Sequence, residues 1–156
     1  MGTNMESKDL IKHLSSLVHT DIDAIHAYDQ AIEKIDYKEV RDRLSDFRTD
    51  HHRHVTDLSS LIRDMGGDPP EFKRDFKGFL IEGFTALRSV TGTEASLKAM
   101  KTNERLTNAT YEKALSWDVP TNVRDVIRKN REDERRHFDY IDQVLQSKPW
   151  EGVKAA

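Results

Sequence analysis

The sequence predicts an all-α protein: a four-helix bundle made of two antiparallel helical hairpins, joined by a long crossover that contains an amphipathic helix. Three observations carry that prediction. Apolar residues recur alternately every four and every three positions along four long stretches, the spacing of a helix seam that faces a bundle interior. Glycine and proline fall mainly between those stretches. The chain also overlays on itself when 83 is added to the residue number, which marks two similar halves. Composition agrees, since 34% charged and 8% aromatic residues with seven Gly and four Pro favour long amphipathic helices over a strand-rich fold.

The first helix runs from about Ser7 to Ile35 on the seam Leu10, Leu14, Leu17, Asp21, Ala24, Tyr28, Ala31 and Ile35. After a short break near Asp36 the second runs from about Lys38 to Met65 on Val40, Leu44, Phe47, His51, His54, Leu58 and Leu61, and Gly66-Gly67 stops it. So tight a connection folds the two into an antiparallel hairpin, residues 7–66. The crossover, residues 67–92, opens on Gly67-Asp68-Pro69-Pro70 and carries Phe72, Phe76, Phe79, Leu80, Phe84 and Leu87 at helical spacing. It is long enough to reach along the bundle, so the third helix is expected parallel to the second. Thr91-Gly92-Thr93-Glu94 has the pattern of a capping box. The third helix follows on Leu97, Met100, Glu104, Thr107, Tyr111 and Ala114. Asp118-Val119-Pro120-Thr121 makes the turn, and the fourth helix runs from about Asn122 to Gln146 on Val123, Ile127, Asn130, Glu134, His137, Ile141 and Val144, before Pro149 and a short tail. The second hairpin is thus residues 93–147, and the whole chain, 1–156, reads as one domain.

Each seam is interrupted near its middle by ionisable residues. These are Asp21, then His51 with His54, then Glu104, then Glu134 with His137. The offset of 83 carries Asp21 onto Glu104, Tyr28 onto Tyr111, Asp50 onto Asp133, Arg53 onto Arg136 and His54 onto His137. From Asp21 to His51 is 30 positions, and from Glu104 to Glu134 is also 30. In a tight antiparallel hairpin this matched spacing brings a carboxylate level with the paired residues of its neighbour. Two such hairpins packed together bring all six to one height.

An unpaired carboxylate inside a bundle is costly, so it must be protonated, hydrogen-bonded or bound to a cation. The set Asp21, His51, His54, Glu104, Glu134 and His137 therefore reads as a metal site of oxygen and imidazole donors, suited to iron, manganese or zinc. The same residues also fit a metal-free polar layer in which Glu134 bonds His51 and Asp21 bonds His54. Tyr28 and Tyr111 are expected to be core tyrosines hydrogen-bonded to this layer. Asp50 and Asp133 either orient the imidazoles from outside or sit in solvent. His13, His19, His26 and His52 read as surface or boundary residues, Arg53 and Arg136 as surface charges, and Trp117 and Trp150 as packing residues.

Glu134-x-x-His137, the single acids on the first and third helices, a Tyr seven residues after each acid and the long crossover together resemble the ferritin-like superfamily of bacterioferritins and rubrerythrins. Asp21-Ile22-Asp23-Ala24, Phe47-Arg48-Thr49-Asp50-His51 and Glu132-Asp133-Glu134 resemble, more narrowly, the small bacterial ferritin-like four-helix-bundle proteins classed as a domain of unknown function. The resemblance spans about residues 8 to 146. It implies Asp21 and Glu104 as terminal ligands of one metal each, Glu134 as a bridging carboxylate, and His54 and His137 as one imidazole per metal. His51 departs from it, standing where the family has a second bridging Glu. A neutral imidazole offers one nitrogen to one metal. Only three anionic ligands then face the charge of two divalent ions, which leaves one or two ions open.

The implied chemistry is oxidation of ferrous iron by dioxygen or hydrogen peroxide, a di-iron oxidase or peroxidase. The alternative is a non-catalytic stress-associated or interaction bundle with a metal-free polar layer or a single structural ion. With no Cys there is no thiolate ligand or attached thiol redox centre, so electrons are expected from an external donor. A net charge of -3 without a basic block argues against nucleic acid as a partner. No apolar run spans a bilayer and no leader pattern opens the chain, so a cytoplasmic location is expected. A homo-oligomer is open. A storage cage is not expected, because about ten residues follow the fourth helix.

Overall fold

The computed structural model describes residues 5–72, 87 and 89–153. Its long helices are α1 (Ser7–Lys34), α2 (Lys38–Asp64), α3 (Thr93–Ala114) and α4 (Thr121–Ser147), followed by the short α5 (Pro149–Val153). All four long helices begin and end within a few residues of the sequence expectation, because the seam periodicity and the breakers agree. The seam positions are the buried ones: Leu10, Leu14 and Leu17 on α1, Val40, Leu44 and Phe47 on α2, Leu97 and Met100 on α3, and Val123, Ile127 and Ile141 on α4. Each such side chain contributes roughly 1.5–3 kcal/mol when fully buried.

α1 packs against α2 and α3, and α4 packs against α3 and α2, so α1/α4 and α2/α3 are the diagonal pairs. Neighbours run antiparallel throughout. Between α1 and α3, Tyr28 meets Glu104 while Tyr111 meets Asp21. Between α2 and α4, His54 meets Asp133 while His137 meets Asp50. The diagonal pairs are therefore parallel, and the connection from α2 to α3 must return along the bundle's length. The two ends bear this out. Gly67, just past α2, lies against Ile11 at the start of α1, whereas Thr93, the first residue of α3, accepts from the Asp36 N–H just past α1 at 3.2 Å. Among the described residues the molecule is all-α, a four-helix bundle of two hairpins joined by a long crossover.

Gly66 closes α2 in the left-handed region at φ 81°, with its N–H donating to the Arg63 carbonyl and that of Gly67 to the Ile62 carbonyl, both at 2.9 Å. Three expectations are corrected or fall elsewhere. The capping box at Thr91–Glu94 does not form. Gly92 is the N-cap at φ 89° with no side-chain cap, and the Thr93 hydroxyl instead ties α3 to the α1–α2 turn. The residues after α4 are not a bare tail, since Lys148 turns the chain in a left-handed conformation and α5 then folds Trp150 into the core. The amphipathic helix expected through Phe76, Phe79, Leu80 and Phe84 lies outside the described residues. Phe72 is half exposed and rests beside the rings of His26 and His52.

The apolar interior divides in two. One cluster gathers Ala31, Ile35, Val40, Leu44, Phe47, Leu97, Met100, Ile141 and Val144; the other gathers Leu10, Leu14, Leu17, Leu58, Ile62, Ala114, Val123 and Ile127. Between them lies a layer of charged and polar side chains. Among the described residues no helix is long and apolar enough to cross a membrane.

Candidate metal centre

Each hairpin delivers its ionisable residues through the same construction. A helix seam presents one side chain inward every three or four residues, so residues three apart on one helix, such as His51 and His54, or Glu134 and His137, both point at the bundle axis. The carboxylate thirty positions earlier arrives from the antiparallel neighbour. All six sequence-predicted residues meet in this one layer, and each is at most 1% exposed.

Their donor atoms form two overlapping groups. Asp21, His51, His54 and Glu134 make the first, and His51, Glu104, Glu134 and His137 the second; within each group the ligand atoms lie within 4.8 Å of one another. His51 and Glu134 belong to both. On the first side Asp21 Oδ1 is 2.7 Å from His51 Nδ1 and 3.0 Å from His54 Nδ1. Glu134 Oε1 is 3.3 Å from both of those nitrogens. On the second side Glu104 Oε1 is 3.6 Å from His51 Nε2 and from His137 Nδ1, and Glu134 Oε2 is 3.6 Å from His137 Nδ1.

The hydrogen-bond inventory is uneven. Asp21 is well supplied, by both histidines and by the Tyr111 hydroxyl at 2.5 Å. Glu104 accepts from the Tyr28 hydroxyl and, at 3.2 Å, from Thr107. Glu134 is different: among the described residues neither of its oxygens has a hydrogen-bond partner, and neither has His51 Nε2 or His137 Nδ1. Of the two pairs expected for a metal-free layer, Asp21 with His54 is formed. Glu134 with His51 is a 3.3 Å contact without hydrogen-bond alignment, because His51 turns Nδ1 to Asp21. Buried polar atoms are almost always satisfied, so four unpartnered atoms in one buried layer are consistent with a cation site. The donor set of carboxylate oxygens and imidazole nitrogens fits a first-row metal such as iron, manganese or zinc.

Electrostatics couples the layer. Burial alone would raise the Asp21 carboxyl, but the charge of His54 and the hydrogen bonds from His51 and His54 outweigh it and hold its pKa at about 2. Glu104 is held low by His137 and His51 against the same burial. Burial pushes His51 down, yet Glu134, Asp21 and Glu104 surround it and raise it to about 9. His54 and His137 are raised for the same reason. Without metal, protons on these imidazoles balance the carboxylates. Tyr28 and Tyr111 stay firmly protonated donors, through burial and the nearby carboxylates.

Outside this layer, the two hairpins exchange supports. His54 Nε2 lies 2.9 Å from an oxygen of Asp133, and His137 Nε2 lies 2.8 Å from an oxygen of Asp50. Each aspartate thus orients an imidazole of the other hairpin and leaves its Nδ1 pointing inward. Arg53 pairs with Asp133, and Arg136 bonds Asp50 and Asp133 at 2.9 Å each. These arginines lie at the surface, as expected, and also anchor the two aspartates. Their i, i+3 spacing from Asp50 and Asp133 was the available signal, but it looks the same as a solvated helix pair. Sequence reasoning also missed Asn108, whose amide donates to the backbone carbonyls of Glu104 at 2.7 Å and Glu134 at 2.9 Å and so ties α3 to α4 beside the layer. Phe47 stacks on His137 with centroids 4.3 Å apart, whereas its counterpart under the offset, Asn130, donates to the Tyr111 hydroxyl at 3.3 Å. The two halves of the site are similar but not equal.

Comparison with known proteins gives a family and a fold. A family model described as "Domain of unknown function (DUF2383)" matches residues 9–116. Among solved structures, a dodecameric thioferritin, the bacterioferritin-related protein from Bacteroides fragilis, superposes with a TM-score of 0.78 at 13% identity, over 97% of this chain and 92% of that one. No curated protein matches.

Proposed function

The chain belongs to the DUF2383 family of domains, on a ferritin-like bundle with a buried His/Glu/Asp cluster, and on that footing we propose that it binds metal and oxidises ferrous iron with dioxygen or hydrogen peroxide. The observation that carries this reading is Glu134. Its carboxylate is fully buried, has no hydrogen-bond partner and is faced by nitrogens of three histidines. Without metal its charge is offset only by imidazole nitrogens 3.3–3.6 Å away, and a bound cation would give both oxygens direct partners.

Asp21 with His54 and Glu104 with His137 would hold one ion each, with Glu134 between them. Iron there would supply the one-electron chemistry with the oxidant. The protein's part is to orient and to exclude water. Asp50 and Asp133 hold Nε2 of His137 and of His54, so Nδ1 would be the ligand atom at each position. Tyr111 and Tyr28 donate to the carboxylates of Asp21 and Glu104 and limit their swing. Apolar clusters on both sides keep bulk water out, which strengthens each charge interaction inside. Without cysteine the chain holds no thiol electron store, so returning electrons come from a separate donor. Self-association is part of this reading, because the similar thioferritin is a dodecamer; light scattering on the purified protein measures it.

One observation favours a second reading, a metal-free structural layer. Asp21 is already satisfied by His51, His54 and Tyr111. Anaerobic ferrous loading followed by desalting and elemental analysis, beside a Glu134→Ala variant, separates the two. Iron retained by the parent and lost in the variant, with peroxide or dioxygen consumed on addition of ferrous ion, supports the oxidase. A folded parent that retains no iron, manganese or zinc and whose melting temperature none of them moves leaves the structural layer.

A further inference from the structure

Position 51 breaks the symmetry of the site, since its counterpart under the offset is Glu134. An imidazole there looks at first like a loss, because a carboxylate bridges two ions and a neutral imidazole serves one. The side chain's placement argues otherwise. The His51 ring lies between the rings of His54 and His137, with centroids 5.4 Å and 5.2 Å away. Its two nitrogens face opposite halves of the layer. Nδ1 is 2.7 Å from Asp21 Oδ1 on the first side, and Nε2 is 3.6 Å from Glu104 Oε1 on the second. His51 is accordingly a member of both ligand groups, as Glu134 is. Among the described residues neither nitrogen is held by a backbone carbonyl or by a carboxylate from outside the layer, in contrast to His54 and His137, whose Nε2 atoms are held by Asp133 and Asp50. Its Nε2 is buried without a hydrogen-bond partner.

We propose that His51 bridges two divalent ions through both ring nitrogens, as an imidazolate set between the Asp21/His54 half and the Glu104/His137 half. Binding of the second ion displaces the ring's remaining proton to solvent. Charge supports this. Asp21, Glu104 and Glu134 supply three negative charges, and the imidazolate supplies the fourth that two divalent ions require. Geometry sets a consequence: the two lone pairs diverge in the ring plane, so the ions stand further apart than the ~3.5–4 Å usual for two-metal sites. The site would then keep two ions but hold them apart.

The inference rests on the metal-binding reading above, and the test tells their failures apart. The metal-free protein, labelled with 15N-histidine, is loaded with cadmium-113 alone, and one-bond cadmium–nitrogen couplings are read by NMR beside elemental analysis. The expected result is two cadmium ions per chain, coupling at both nitrogens of His51, and coupling at Nδ1 alone for His54 and His137. His51→Glu should keep two ions, lose the doubly coupled ring and bring the metals closer by X-ray absorption. Cadmium bound with coupling at one His51 nitrogen, or a doubling of stoichiometry in His51→Glu, overturns the bridge while leaving the metal site. No cadmium retained by folded protein overturns both.

Discussion

His137 Nε2 on α4 lies 2.8 Å from Asp50 on α2, and its counterpart His54 on α2 reaches Asp133 on α4 at 2.9 Å. The supports for each hairpin's histidine thus come from the other hairpin, so the site cannot be assembled by one hairpin alone. A carboxylate behind a ligand imidazole raises its basicity and fixes its orientation. Asp50→Asn and Asp133→Asn should each weaken metal affinity by about 10–100-fold, measured by competition against a chelating dye. Unchanged affinity with an intact fold would show that the crossed aspartates serve only Arg53 and Arg136.

The two ligand groups share Glu134 and His51 but not their outer carboxylates. Asp21→Ala should therefore remove one ion and leave the Glu104/His137 half loaded, whereas Glu134→Ala should remove both. Elemental analysis after ferrous loading reads the stoichiometry. Equal loss in the two variants would mean that a single ion uses the whole set.

The metal-free protein should depend on pH in a direction fixed by the layer's protons. His51 titrates at about 9 when folded against an ordinary 6.5, so its stabilisation is complete below about pH 6.5 and is lost as pH rises through 9. Asp21, held at about 2 against 3.8, contributes fully above pH 3.8 and loses that contribution as pH falls through 2. The melting temperature of metal-free protein should be highest between about pH 4 and 6.5 and fall by several degrees by pH 9.5. Metal-loaded protein should show the opposite alkaline trend, because protons compete with the metal for the same nitrogens. A flat profile between pH 6 and 9.5 for the metal-free form would show that these imidazoles are neutral.

Much of this was legible in the sequence because the information is periodic. A seam that alternates by three and four fixes which residues face inward, and an equal spacing of 30 in both halves fixes their height, so the meeting of Asp21, His51, His54, Glu104, Glu134 and His137 followed without coordinates. Direction within the layer did not. Whether His51 turns Nδ1 to Asp21 or to Glu134 depends on a rotamer, and whether Asp50 is solvated or bonds His137 depends on the lateral offset of α2 and α4, which spacing along a chain does not encode. The roles of Arg53 and Arg136 were hidden for the same reason. The capping pattern at Thr91–Glu94 misled because α3 starts one residue later than that pattern requires, with Gly92 rather than Thr91 at the N-cap.

Tyr111 joins the layer to the apolar core. Its ring is fully buried in the cluster of Leu10, Leu14 and Ile127, its hydroxyl donates to Asp21 at 2.5 Å, and the Asn130 amide donates to it at 3.3 Å. Tyr111→Phe keeps the packing volume but leaves the Asn130 amide without this acceptor and removes one donor from a buried carboxylate. Such a change costs about 1–3 kcal/mol, which denaturant unfolding of the metal-free protein should register. Tyr28→Phe should behave alike through Glu104. Metal stoichiometry should be unchanged in both, because the tyrosines donate to the ligands rather than to the ion. A loss of metal in Tyr111→Phe at unchanged stability would instead place that hydroxyl among the ligands.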